Sequence, residues 1–310
     1  MQQVESWTDF PTTALEFDER FGSEDACQAY LMSQRWPGGF RCPACGHAEA
    51  WSLARRRLLQ CTGCSRQVSL TAGTIFHDSR KPLRLRFKAI FLMTSQRTGT
   101  SARNLMRQLG LGSYQTAWTW LHKLRRATLR PGREALFGQV EVDEGYVGGL
   151  EEGVHGRETK AKSIVAVAVE VKDKSPGRMR MACVEDASAS SLGVFVTSNV
   201  TPGSTVRTDG WGGYDGLRKR GYQHRPRIIG DRKRASRLFP HVHRGLSLLK
   251  RWLLGTYQGA VRPKHLPAYL DEFVFRYNRR SSRSLTLPFQ KLCAIAVATG
   301  PVTYRQLVAA

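Results

Sequence analysis

Two sets of residues in this chain have the types and spacing to do chemistry. The first is cysteine. Cys42, Cys45, Cys61 and Cys64 read C-x2-C, fifteen residues, then C-x2-C. That spacing makes two knuckles, each offering two thiolates to one tetrahedral Zn²⁺. The flanks, CPACGH and CTGCSR, place small residues and glycine where backbone amides must turn toward sulfur. Cys27, Cys183 and Cys293 stand apart, and an odd count of seven does not make a disulfide framework. These three are expected to be ordinary small buried residues, and the chain to reside in a reducing cytoplasm.

The second set is acidic. Asp143 lies in VEVDEGY and Asp209 in VRTDGWGG, each read as closing a strand. Two strand-end carboxylates can meet at one sheet edge and hold a divalent cation through oxygen. Gly145 and Gly210 follow them and would let a phosphodiester backbone come close. An aspartate beside a turn also serves as a cap, so the pair alone leaves both roles open. Trp211 and Tyr214 offer rings either for stacking on a frayed base or for packing.

The charge balance says what such a site would act on. Over 310 residues, Lys+Arg number 48 and Asp+Glu 25, a formal charge of +23. A polyanion relieves that self-repulsion, so nucleic acid is the expected partner. Hydrophobic residues make up 41%, which excludes a disordered basic tail. No apolar run approaches the roughly 20 residues that span a bilayer, and the N-terminus lacks the charged start of a signal peptide. A membrane or secreted protein is not expected.

These residues need elements to position them. GSEDACQAYLMSQ reads as a helix capped by Ser23, followed by the ribbon from about 36 to 71. From Ser79 to Arg133 there are thirteen Lys or Arg and no acid. SARNLMRQLG and SYQTAWTWLHKLRRAT are two short helices broken at Gly110 and Gly112, a helix-turn-helix pattern. Within it Lys123, Arg125 and Arg126 are expected to contact phosphates. From about 138 the pattern becomes strands: FGQVEVDEGYVGG, SIVAVAVEV, RMRMACVED, then a helix in DASASSLGVFVTSN and a strand in STVRTDG. This predicts a mixed α/β sheet. The stretch from Gly216 to Arg251 holds twelve Lys or Arg against Asp231 alone, as a DNA channel would. HVHRGLSLLKRWLLGTY and PKHLPAYLDEFVFRYNRR read as amphipathic helices.

FRCPACG, TAGTIFHDSRKPL, VEVDEGYVGG, RTDGWGGY, LLKRWLLGTYQG and HLPAYLDEFVFRYNRR occur in that order over residues 15 to 290. Together they resemble a bacterial insertion-sequence transposase of the ISXO-type group. The resemblance implies a ribonuclease H-like catalytic domain of the DDE superfamily, preceded by a zinc ribbon and a helix-turn-helix domain. It divides the chain into 1–78, 79–134 and 135–310. It puts the first two acidic ligands on Asp143 and Asp209. In related sequences the third is a Glu seven residues before the Lys of the LLKR-like motif. Here that Lys is Lys250, and seven residues back stands His243, 34 residues after Asp209. His243 and Lys250 would share a helical face. Glu272 is the alternative third ligand, unless it pairs with Arg276 one turn on.

The implied activity is metal-dependent phosphodiester cleavage and strand transfer at the element's ends, with structural Zn²⁺ and catalytic Mg²⁺ or Mn²⁺. The implied partners are double-stranded DNA, both element ends and target, and further copies of the same chain on that DNA. Lys250 and Arg251 would join the DNA contacts. The implied location is the bacterial nucleoid. A DNA-binding regulator fits the ribbon and basic helices equally well, but has no need of Asp143 together with Asp209.

Overall fold

In this computed structural model, residues 11, 13–78, 80–96, 98–129, 132–149, 162–227, 237–281 and 287–309 are described. The chain divides into two compact units, residues 1–129 with 282–310, and residues 130–281.

The first unit opens with α1 (Ala14–Arg20), which starts in a capping box. The Thr13 hydroxyl accepts the Glu16 amide at 3.2 Å, and the Glu16 carboxylate accepts the Thr13 amide at 3.4 Å. The predicted cap of α2 (Glu24–Arg35) is present: the Ser23 hydroxyl accepts the Ala26 amide at 3.1 Å. The ribbon follows as an antiparallel sheet of β1 (Ala50–Leu53), β2 (Leu58–Cys61) and β3 (Gln67–Ser69). Then come α3 (Leu83–Ser95), α4 (Ala102–Gln108) and α5 (Tyr114–Arg126), the last two where the sequence places them. The N-cap of α3 is Pro82, which offers no side-chain acceptor. Glu24 supplies one from α2, accepting the Leu83 and Arg84 amides at 2.8 and 3.2 Å.

The last helices correct the predicted third domain. Residues 287–309 belong to the first unit, where the helix Leu287–Ala298 packs on α2 and α3. The reason is aromatic. Phe289 is fully buried among Phe17, Phe21, Tyr30 and Phe87, with ring centroids 5.3 to 6.1 Å from its own. Phe289 thus joins the aromatic cluster that those four rings form with one another.

The second unit is a five-stranded mixed sheet in the order β6-β5-β4-β7-β8. Strands β4 (Gln139–Val147), β5 (Ser163–Lys172) and β6 (Ser175–Val184) run antiparallel. Strands β7 (Thr205–Thr208) and β8 (Gln223–Pro226) add in parallel. The sequence missed β8, whose Q-H-R-P has almost no apolar content and buries only His224. Side-chain alternation gives the sheet two dry faces. Val140, Val142, Ala166 and Ala168 pack under α6 (Ala189–Asn199). Val165, Val167, Val169, Met179 and Met181 pack under α7 (Pro240–Tyr257) and α8 (Leu266–Tyr277). Among the described residues no helix is long and apolar enough to cross a membrane.

Candidate active site

The four ribbon sulfurs all lie within 4.8 Å of one another. Cys42 and Cys64 Sγ are 3.7 Å apart, and Cys45 and Cys61 Sγ 3.6 Å. A tetrahedron with Zn–S near 2.3 Å has edges of about 3.8 Å, so the set fits zinc. The knuckle amides do turn toward sulfur. Backbone N–H groups of Cys45 and Ala44 hold the Cys42 thiol down to about 6. Of the other thiols, Cys27 and Cys293 are buried as expected and Cys183 is half-buried.

On the second sheet, β4 brings Glu141, Asp143 and Gly145 to the face that α7 covers, because Val140 and Val142 point to the other. Asp143 is not at a strand end: it is the fifth of nine residues in β4. It lies instead just past the last pair that β4 makes with β7, Glu141 with Arg207. Asp209 stands one residue beyond β7. The register of the two parallel strands carries the same offset of 66 from Gln139 and Thr205 to Asp143 and Asp209. Both aspartates thus follow the paired stretch by the same number of residues, and the charge of Asp209 reaches His243.

The Asp143 carboxylate accepts the Glu144 amide at 2.8 Å, and that of Asp209 accepts the Trp211 amide at 3.0 Å. His243, in the first turn of α7, places Nε2 3.7 Å from Asp143 Oδ2. Among the described residues, that buried nitrogen has no hydrogen-bond partner. Burial lowers the His243 pKa below its ordinary 6.5, opposed by the charges of Glu141 and Asp209, which favours the neutral ligand form. Two carboxylates and an imidazole with an unused lone pair suit a divalent ion. The three are less closed than the ribbon: among the described residues, only the cysteines form a group with all ligand atoms within 4.8 Å.

Glu272 is fully buried on α8, with Oε1 3.7 Å from Arg276 Nη1, the i+4 pair the sequence suggests. Lys250 and Arg251 are exposed on α7, and Arg126 is exposed on α5. Lys123 is half-buried, and desolvation lowers its pKa. Arg125 is the correction: it is 1% exposed and cannot face phosphate. Its position follows from helical period, since Leu121, Leu124 and Arg125 share the buried stripe of α5. Residues 228–236, part of the predicted basic channel, lie outside the described residues.

Gly145 serves packing rather than substrate approach. A Cβ there would meet Leu246 Cδ2 at 2.8 Å, so the glycine lets α7 lie on β4. Gly210 takes φ +82, which a side chain would strain. Tyr214 is fully buried and donates to Glu144 at 2.8 Å, so it packs and does not stack on a base.

Sequence reasoning passed over Glu141. It is 1% exposed, and its Oε2 accepts the amides of His241 at 2.9 Å and Val242 at 3.3 Å. The signal available was an acid alternating with Asp143 inside an otherwise apolar strand.

A mixed sheet of three antiparallel and two parallel strands, helices on both faces, an acid on the central strand and another just past its parallel neighbour define the ribonuclease H-like class. A family model described as the ISXO2-like transposase domain matches residues 135–278, and a transposase zinc-ribbon domain matches 22–67. An "uncharacterized protein in transposable element ISH50" of Halobacterium salinarum is 30% identical over 213 residues, 64% of this chain and 71% of that protein. A chain of the simian T-cell lymphotropic virus intasome, solved with the PP2A regulatory subunit B56 gamma, has 14% identity and a TM-score of 0.31. The match covers 56% of this chain and 67% of that one. The chain belongs to the ISXO2-like transposases, with an N-terminal zinc ribbon.

Proposed function

We propose that this transposase binds the ends of an insertion sequence and catalyses metal-dependent phosphodiester cleavage and strand transfer. The observation that carries the reading is the Asp143–His243 approach of 3.7 Å, with the charge of Asp209 felt at the same imidazole. Asp143, Asp209 and His243 would hold Mg²⁺ or Mn²⁺, which supplies nucleophile activation and stabilisation of the leaving oxygen in an in-line displacement. Glu272, buried and ion-paired, is assigned to the core. The chain's own part is to hold the reacting strand in line.

Lys250 stands two helical turns beyond His243 on α7, and with Arg251 it would grip the phosphates next to the site. The ribbon with α4 and α5 would form the end-binding part, α5 acting as the recognition helix, with Lys123 and Arg126 on the DNA backbone. Joining two ends to one target requires more than one copy of the chain, so the active form is a homo-oligomer on DNA.

The test is a pre-nicked end duplex incubated with the protein, Mn²⁺ and target plasmid. Joined products are expected, and Asp143→Asn should abolish them while leaving end binding intact. Joining by the Asp143→Asn protein would overturn the assignment. Tight, sequence-specific binding without cleavage or joining by the wild type would favour the regulator.

A further inference from the structure

The helix that carries His243 begins without a cap of its own. Its N-cap is Phe239 and its first residue Pro240, so the N-cap side chain does not receive the first amides of α7. Glu141 receives them across 100 residues of chain. Its Oε2 accepts from His241 at 2.9 Å and from Val242 at 3.3 Å. Its Oε1 lies 3.8 Å from Arg207 Nη1. Arg207 is the register partner of Glu141 on β7, and its Nη2 donates to Leu238 O at 3.0 Å, just before the helix. The strap therefore ties β4, β7 and the start of α7 together, one residue short of His243 and two residues short of both aspartates.

We propose that Glu141 is a positioning residue: by capping α7 it fixes the helix at the height that brings His243 Nε2 to Asp143. The inference rests on the metal site proposed above. Glu141 is not itself a ligand, because the oxygen nearest the helix is spent on two amides. What matters is an acceptor oxygen of the right reach rather than the negative charge. Outer partners of metal ligands typically carry about ten- to a hundredfold in metal affinity.

Two variants separate reach from charge. Glu141→Gln keeps an acceptor oxygen at the same distance and loses the charge. Glu141→Asp keeps the charge and withdraws it by one bond, about 1.5 Å. Mn²⁺ is titrated into full-length, zinc-loaded protein. Affinity is read from free Mn²⁺, and the imidazole from nitrogen modulation in the spin-echo spectrum of bound Mn²⁺, with His243→Ala assigning it. Glu141→Gln should keep the modulation and bind within about fivefold of wild type, the loss expected from a helix-end charge. Glu141→Asp should lose the modulation and bind about tenfold or more weakly.

Wild-type modulation in Glu141→Asp overturns the proposal. So does a loss in Glu141→Gln as deep as in Asp143→Asn, which would make Glu141 a ligand. Mn²⁺ bound by the wild type without nitrogen modulation removes His243, and this proposal with it, while leaving the aspartate site. No Mn²⁺ binding by the wild type overturns the site itself.

Discussion

His243 Nε2 lies 3.7 Å from Asp143 Oδ2 across the gap between α7 and β4, with no hydrogen bond to it among the described residues. Such spacing is long for a hydrogen bond and suits two groups that face a shared cation. As a ligand in the proposed site, an imidazole here would change which ion is preferred. Oxygen-rich sites suit Mg²⁺, and nitrogen donors favour ions later in the transition series.

His243→Glu is therefore expected to move the preference from Mn²⁺ toward Mg²⁺ and to retain strand transfer. The ratio of rates in the two ions, measured on one pre-nicked substrate, reads the change. A ratio the same in wild type and variant would remove His243 from the ion's coordination.

The ribbon makes a separate prediction. Its buried cluster is small, with Phe40, Cys42, Cys61 and Val68, and two of these are ligands. Metal must then supply most of its folding free energy, on the order of 10 kcal/mol in comparable peptides. Cys61→Ser should release zinc and open residues 36–71 to protease, while the second unit keeps its fold. A variant that holds one zinc per chain would show that Cys61 is not needed.

What was legible followed a rule. Period-2 and period-3.6 patterns located β4 to β7 and the helices α2 and α4 to α8, and knuckle spacing gave the four cysteines of the ribbon, because these signals are local. Asp143 and Asp209 stand out in the sequence because acids are few in this basic chain. The misses are matters of tertiary placement. Neither α3 nor α7 has a capping side chain at its own start, and Glu24 and Glu141 cap them from 59 and 100 residues away. Nothing near those acids announces it. Arg125 was read by charge, yet its helical phase puts it inside. Phe289 pulls the last helices onto the first unit through rings more than 190 residues distant. A scan of neighbouring residues does not register such partners.

The burial of Arg125 divides the basic cluster of α5 into two kinds of cation. Each phosphate neutralised contributes about −0.9 to the slope of log K against log salt on duplex DNA. Removing Lys123 and Arg126 together should flatten that slope by nearly 2 units, at little thermal cost. Arg125→Ala should instead lower the melting temperature and leave the slope alone. A slope that responds to Arg125→Ala in still-folded protein, and not to the loss of Lys123 and Arg126, would reverse the assignment.

Asp271 on α8 sets a pH dependence in the second unit. Burial pushes its carboxyl from 3.8 up to about 6, with Arg133 opposing the shift. A carboxyl raised on folding keeps its proton in the native state where the unfolded chain has already lost it. Stability then falls as pH rises from about 4 to about 6, and stays lower above that. The direction is opposite to that of a salt-bridged aspartate, whose contribution appears as pH rises. Asp271→Asn removes the dependence and should stabilise the protein near neutrality by about 3 kcal/mol, several degrees in melting temperature. Near pH 4 wild type and variant should melt together, and the gap should open between about pH 4 and 6. Equal gaps at both ends of that range would mean that the asparagine stabilises by packing, and that the carboxyl titrates normally.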